Sequence, residues 1–277
     1  MLFASTALAA RIERADARLM SESASAAARR RPETGAFAVA LAGGAATFAA
    51  PGSPLNKVAG LGFAGPLDPG ELDAVERAFA ERGAPVQVEL SCLADPQVGA
   101  LLTRRGYTLE NFENVLGRRL PWERPRALPE DVVVSESGPP ETALWLDTVI
   151  TGFASPDREG VPSHESFPRE ELESVMADMA EAEGFVRYLA RRAGTPAGGA
   201  SMRLLDGVAQ LCGAATLPEH RRRGVQSAML AARLGAASRA GCDIAVVTTQ
   251  PGSRSQENVQ RQGFELLYTR AILVRQP

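Results

Sequence analysis

The chain has 277 residues, 45% of them hydrophobic, and a formal net charge of −3. That length suits one large domain or two ordinary ones with sizeable cores, and the charge argues against wholesale nucleic-acid binding. Three cysteines without CxxC spacing and only two histidines exclude a disulfide framework and a zinc site, and point to reduced thiols in a cytoplasmic protein.

The opening stretch, "MLFASTALAARIERADARLM", lacks the basic start of a signal peptide and carries charged residues from Arg11 onward. Leu8, Ile12, Ala15 and Leu19 share one helical face, which predicts an amphipathic first helix. No apolar run in the sequence is long enough to span a membrane. After "FAVALAGGAATFAA" and "NKVAGLGFAG" comes the amphipathic helix "LDPGELDAVERAFAERG". A buried strand ("PVQVELS"), a short helix, a Gly-aromatic pair at Gly106 and two more strand segments follow.

Residues 120–131, "LPWERPRALPED", combine three prolines with five charges and read as a linker. Beyond it the pattern predicts a strand ("DVVVSES"), two helices ("ETALWLDTVITGFA" and "REELESVMADMAEAEG") and three strands ("FVRYLARR", "GGASMRLLD" and "GVAQLCGAATL"). A helix, the buried strand "CDIAVVTT", a short helix and a Gly-Phe pair at Gly263 lead to two final strand segments. The separations Ala84 to Gly106 and Gly241 to Gly263 are both 22 positions, so the halves look like copies of one plan.

Between the third of those strands and the following helix lies "LPEHRRRGVQSAML", residues 217–230. A helix N-terminus already carries partial positive charge, so stacking His220, Arg221, Arg222 and Arg223 there is unfavourable unless an anion sits on it. Gly224 permits a turn that points successive N–H groups into one concavity, and arginines meet phosphate oxygens with charge-assisted bonds. The run reads as a phosphate cradle.

In element order and in "RRRGVQ", the second half resembles the GCN5-related N-acetyltransferases. That family's pyrophosphate loop is Arg/Gln-x-x-Gly-x-Gly/Ala; Arg221, Gly224 and Gln226 occupy those places, Gln226 being larger than the pattern asks. The resemblance implies an α/β fold of two tandem GNAT-like domains. Each has a mixed, mostly antiparallel central sheet flanked by helices, with parallel strands four and five splayed apart. It implies acetyl-CoA as acyl donor, held by Arg221, Arg222, Arg223, Gly224, Val225, Gln226 and Ser227. Thr216 and Leu217 offer backbone groups, the Leu217 N–H facing the thioester oxygen. In "SQENVQRQGF", Ser255 is expected to cap the next helix, with Asn258 and Arg261 reaching the donor.

Two positions depart from the resemblance. Where some members carry a glutamate on strand four the chain has Gln210, and where many carry a tyrosine before the Gly-Phe turn it has Val259. No catalytic base or acid is assigned. Tyr188 and Tyr268 are stand-ins for the acid, and Cys212 reads as a core thiol rather than a nucleophile. The acceptor side is expected in "GFASPDREGVPSHESFPREE", with Asp157, Glu159, His164 and Glu165. The first half has "FAGPLDPGELDAV" in place of the cradle, where Asp68 and Glu71 would repel a pyrophosphate.

The expected organisation is a degenerate domain over 1–120, a linker over 121–130 and an acetyl-CoA-binding domain over 131–277. The expected activity is N-acetylation of a small-molecule amine by direct attack, in a monomer or homodimer without metal, nucleic acid or membrane. The alternative is a non-catalytic acyl-CoA sensor.

Overall fold

A computed structural model of the protein describes residues 2–121, 128–155, 161 and 167–277. The first half supplies α1 (Thr6–Arg30), β1 (Phe37–Leu41), β2 (Gly44–Phe48), β3 (Lys57–Ala59), α2 (Pro69–Ala80), β4 (Val86–Ser91), α3 (Pro96–Arg104) and β5 (Thr108–Arg119). The second supplies β6 (Val132–Glu136), α4 (Thr142–Phe153), α5 (Arg169–Met179), β7 (Phe185–Arg192), β8 (Thr195–Leu205) and β9 (Val208–Thr216). It continues with α6 (Val225–Arg239), β10 (Ile244–Thr249), α7 (Arg254–Arg261) and β11 (Glu265–Arg275).

The eleven strands form a single sheet in the order β1-β2-β3-β4-β11-β5-β10-β9-β8-β7-β6. Among the described residues only β3–β4 and β9–β10 are parallel, one such pair in each half. The sheet does not respect a division at residues 121–130. Strand β5, from the first half, pairs with β10, while β11, from the second, pairs with β4, and the two exchanged strands pair with each other. Leu116 and Leu120 accordingly pack in the core of the second half, and Leu273 packs against that of the first.

The two final strand segments expected in each half are one continuous strand, which corrects that reading. The irregularities between Leu266 and Tyr268 and between Ile272 and Leu273 are shifts of register and not turns. The matched glycines behave alike: Gly106 and Gly263 have φ of 81° and 80°, and the aromatics after them, Tyr107 and Phe264, are both buried.

The opening helix is as expected, with Ile12, Ala15 and Leu19 buried and Leu8 packed at the edge of the core. Ser5 caps it by accepting from the Leu8 N–H. Besides packing on β1, β2 and β3, it clasps the second half through ion pairs: Arg11 to Asp243 at 2.7 Å, Arg18 to Glu183 at 2.6 Å and Arg30 to Asp178 at 3.0 Å. Buried Arg203 on β8 returns bonds to the Ala15 carbonyl and to Glu22, both at 2.8 Å.

Beneath α1 lies a buried ionic network. Arg270 on β11 meets Glu13 at 2.8 Å, Asp16 at 3.0 Å and Glu89 at 3.1 Å, and Lys57 also reaches Glu89. Burial alone would raise Glu89, but Lys57 and Arg270 hold its carboxyl below the usual value. For the half-buried Glu113, burial and the neighbouring Glu89 win, pushing it up to about 7 from 4.5. A carboxyl raised on folding binds protons more tightly in the native state, so stability falls as pH rises from about 4.5 to about 7. Glu113→Gln is therefore expected to flatten the pH dependence of the urea midpoint across that window. An unchanged slope would remove Glu113 as its source.

Candidate active site

Parallel strands β9 and β10 pair over only three positions, Val208–Ile244, Ala209–Ala245 and Gln210–Val246, and then part. Opposite β8, strand β9 carries one extra residue, Gly213, between the pairs Ser201–Cys212 and Ala200–Ala214. Its φ of +25° makes glycine the fitting residue at this bulge. Trp145 on α4 packs beneath and donates its Nε1–H to the Ala200 carbonyl at 3.1 Å. The parting strands open a cleft of about 500 Å³, walled by Leu211, Cys212, Gly213 and Ala214 of β9 and by Val247 and Thr248 of β10. Helices α6 and α7 close it with Gln226, Ser227, Leu230, Arg233, Ser255, Asn258, Val259, Arg261 and Gln262.

At the head of the cleft the arginine loop enters α6. Arg222 has φ +58° and Gly224 φ +78°, two left-handed residues in three positions. A side chain at Gly224 would also bring a Cβ within 2.4 Å of Pro129 Cγ, so space and backbone both demand glycine. A non-glycine residue held left-handed costs about 1 kcal/mol and is a feature of ligand-binding turns.

Helix α6 has no side-chain cap and no acidic residue in its first turn. By contrast Asp68, at the matching place in the first half, accepts from the Gly70 and Glu71 N–H groups and so fills the start of α2 with its own carboxylate. The start of α2 is closed by its own carboxylate, whereas the N–H groups at the start of α6 have no side-chain cap.

Four of the expected donor contacts, Gln226, Ser227, Asn258 and Arg261, line the cleft. Asn258 Nδ2 donates to Gln226 Oε1 at 2.9 Å, so the large residue in the loop ties α6 to α7. Arg261 is paired to Glu257. Thr216, Leu217, Arg221, Arg222, Arg223, Gly224 and Val225 form the strand end and loop that adjoin those residues. Arg222 and Arg223 are exposed, whereas Val225 is buried and can offer only its backbone. The Arg221 guanidinium donates to the Thr216 and Ser155 carbonyls and so shapes the loop.

Several expectations are corrected. The Leu217 N–H donates to the Ala197 carbonyl at 3.0 Å, an inter-strand bond that removes it as an oxyanion donor. Ser253, not Ser255, caps α7, accepting from the Gln256 N–H, because the helix begins at Arg254, two residues earlier than a Ser255 cap requires. Tyr268 is buried away from the cleft, and its hydroxyl donates to Glu13 at 2.7 Å. Burial pushes that phenol well up, so it is no proton donor for a leaving thiolate.

Cys212 lines the cleft, but burial pushes its thiol up to about 12, which leaves negligible thiolate at neutral pH. Gln210 is buried against Arg203 and Val259 lines the cleft wall. Asp157, Glu159, His164 and Glu165 lie outside the described residues.

Residues 150–264 match the model of the acetyltransferase (GNAT) family. They form a GNAT acetyltransferase domain. The match spans the cleft, the arginine loop, α7 and the Gly-Phe turn. A GCN5-related N-acetyltransferase from Kribbella flavida shares the fold, with 20% identity and a TM-score of 0.63 over 92% of this chain and 95% of that one. A tandem GNAT protein from the clavulanic acid biosynthesis pathway aligns at 14% identity and a TM-score of 0.58, over 85% and 78% of the two chains. A GCN5-related N-acetyltransferase from Sphaerobacter thermophilus aligns at 19% and 0.52, over 74% and 64%. No curated protein matches the chain.

Around the cleft, sequence reasoning missed Phe153, Leu211, Gly213, Ala214, Leu230, Arg233, Val247, Thr248 and Gln262. One signal was available: Met229, Arg233 and Ala237 recur at helical spacing, so the arginine sits on a buried stripe.

Proposed function

We propose that this protein is an acetyl-CoA-dependent N-acetyltransferase that moves an acetyl group to a primary amine of a small molecule. An amino acid, a polyamine and an amine antibiotic all fit that class. The observation that carries the reading is the uncapped start of α6, flanked by Arg222 and Arg223 and opening onto the cleft between β9 and β10. Residues Arg221–Ser227 and Asn258 would hold the pyrophosphate end, and the unpaired stretch of β9 would offer backbone groups to an extended arm. When bound, the coenzyme supplies an activated thioester. The amine nitrogen attacks its carbonyl, the C–S bond breaks, and the proton released by the amine ends on the thiolate or on solvent. The high thiol pKa at Cys212 supports direct attack over an acylated cysteine.

Residues 131–277 are assigned the donor site and residues 1–120 a bracing role, with 121–130 joining them. Three free cysteines support a reducing cytoplasmic setting, and no described helix is long and apolar enough to cross a membrane. The test is thiol release from acetyl-CoA across a panel of amines. Amine-dependent release with a matching acetylated product is expected. Tight acetyl-CoA binding without release for any amine would favour the second reading, an acyl-CoA sensor, which Gln210, Val259 and the engaged Tyr268 support.

A further inference from the structure

Arg233 on α6 is 4% exposed, and its side chain lines the cleft. Its Nε donates to the Met229 carbonyl at 3.3 Å and its Nη1 to the Ser201 carbonyl at 3.1 Å, both neutral acceptors. The other deeply buried guanidiniums each face a carboxylate: Arg203 meets Glu22 at 2.8 Å and Arg270 meets Glu13 at 2.8 Å. Among the described residues, no carboxylate forms an ion pair with Arg233. Burial pulls its pKa down to about 10, so it stays charged at neutral pH.

The groups that act on this charge are the Cys212 thiol and the Tyr188 phenol. Burial raises each to about 12, so both keep their protons. The Tyr188 hydroxyl is buried and has no hydrogen-bond partner. Glu136 acts on Tyr188 and Asp16 on Cys212, but neither carboxylate pairs with Arg233. The cation therefore sits between two protonated neighbours with no ion-pair partner of its own among the described residues, and an unpaired buried charge is costly.

The position says what could supply the anion. Arg233 stands eight residues into α6, about 12 Å along the axis from the arginine loop at a rise of 1.5 Å per residue. Ser201, which it contacts, is the strand partner of Cys212 beside the Gly213 bulge. The charge thus lies along the cleft away from the phosphate loop, where on the coenzyme A reading the acyl end of a thioester would fall.

We propose that Arg233 receives a carboxylate at the tip of the acyl group, so that thioesters of short dicarboxylic acids are preferred over neutral ones of equal length. The inference rests on the coenzyme A reading above and concerns only the acyl group. Succinyl-CoA and butyryl-CoA carry four-carbon acyl groups that differ in a terminal carboxylate. In calorimetric titrations of the intact protein, succinyl-CoA is expected to bind about tenfold tighter or more.

In Arg233→Met, which keeps the side-chain length without the charge, the two should come within about twofold of each other. Arg233→Lys should keep part of the preference. Butyryl-CoA binding as tightly as succinyl-CoA to the wild type would overturn the proposal without needing any variant. So would a tenfold preference that survives in Arg233→Met. Free coenzyme A, titrated in parallel, separates the two levels. If it binds while the acyl preference is absent, only the Arg233 assignment fails. If it does not bind, the coenzyme A reading fails and this one with it.

Discussion

Charge reversal at the start of α6, Arg222→Glu with Arg223→Glu, is expected to weaken acetyl-CoA binding by about 100-fold or more. A hydrogen bond between charged groups contributes about 1.5–3 kcal/mol, so losing two removes at least about 3 kcal/mol, and 1.4 kcal/mol is a factor of ten. Repulsion between the new carboxylates and the phosphates adds to that loss. Both side chains are exposed, and Arg222 keeps a non-glycine residue at its left-handed position, so the fold should survive. Calorimetry gives the affinity, and a thermal scan reports folding. The wild-type affinity should also fall with salt, because the exposed charges are screened. A variant that is folded and binds within a few-fold of the wild type would show that the arginines are a solvated helix start, and the cradle would be lost.

The largest effect on stability is expected at Arg270→Met. Arg270 is 2% exposed and pairs with Glu13, Asp16 and Glu89 at once. Removing it strands carboxylates in a buried site, which typically costs about 3–5 kcal/mol. For a chain of this size that lowers Tm by about 10 °C.

The position of the residue makes the effect global. Arg270 lies on β11, the strand of the second half that pairs with β4 of the first, so both halves should melt together. Without the guanidinium, the carboxylates rise in pKa and take up protons on folding. The deficit should therefore be greatest above the unfolded carboxyl values and shrink as pH falls through about 4.5. A Tm within about 2 °C of wild type at pH 7 would mean that the network is not stabilising.

Local order in the second half was legible because it is encoded locally. "CDIAVVTT" is apolar on both faces and forms β10 over Ile244–Thr249; Gly224 is followed at once by α6; Gly263 turns left-handed before buried Phe264. The missing cradle in the first half was equally readable, since Asp68 is an N-cap residue by type and caps α2. The capping of α7 was misread by two residues, because Ser253 and Ser255 are alike in kind and only the start of the helix separates them.

By itself the sequence determined the periods, the turns, the helix starts and the placing of three arginines before a glycine, all set by neighbours within a few positions. Tertiary structure alone decided which strands lie side by side. Strand β5 pairs with β10 of the second half and β11 with β4 of the first, and no local pattern in the sequence names that choice, because strand pairing joins residues far apart in the chain. It also decided that the Leu217 amide is engaged with Ala197, and that Tyr268 turns its hydroxyl to Glu13, 255 residues earlier. Arg233 shows the same limit. Its helical spacing puts it on a buried stripe, but whether a carboxylate waits there depends on what the folded chain brings opposite.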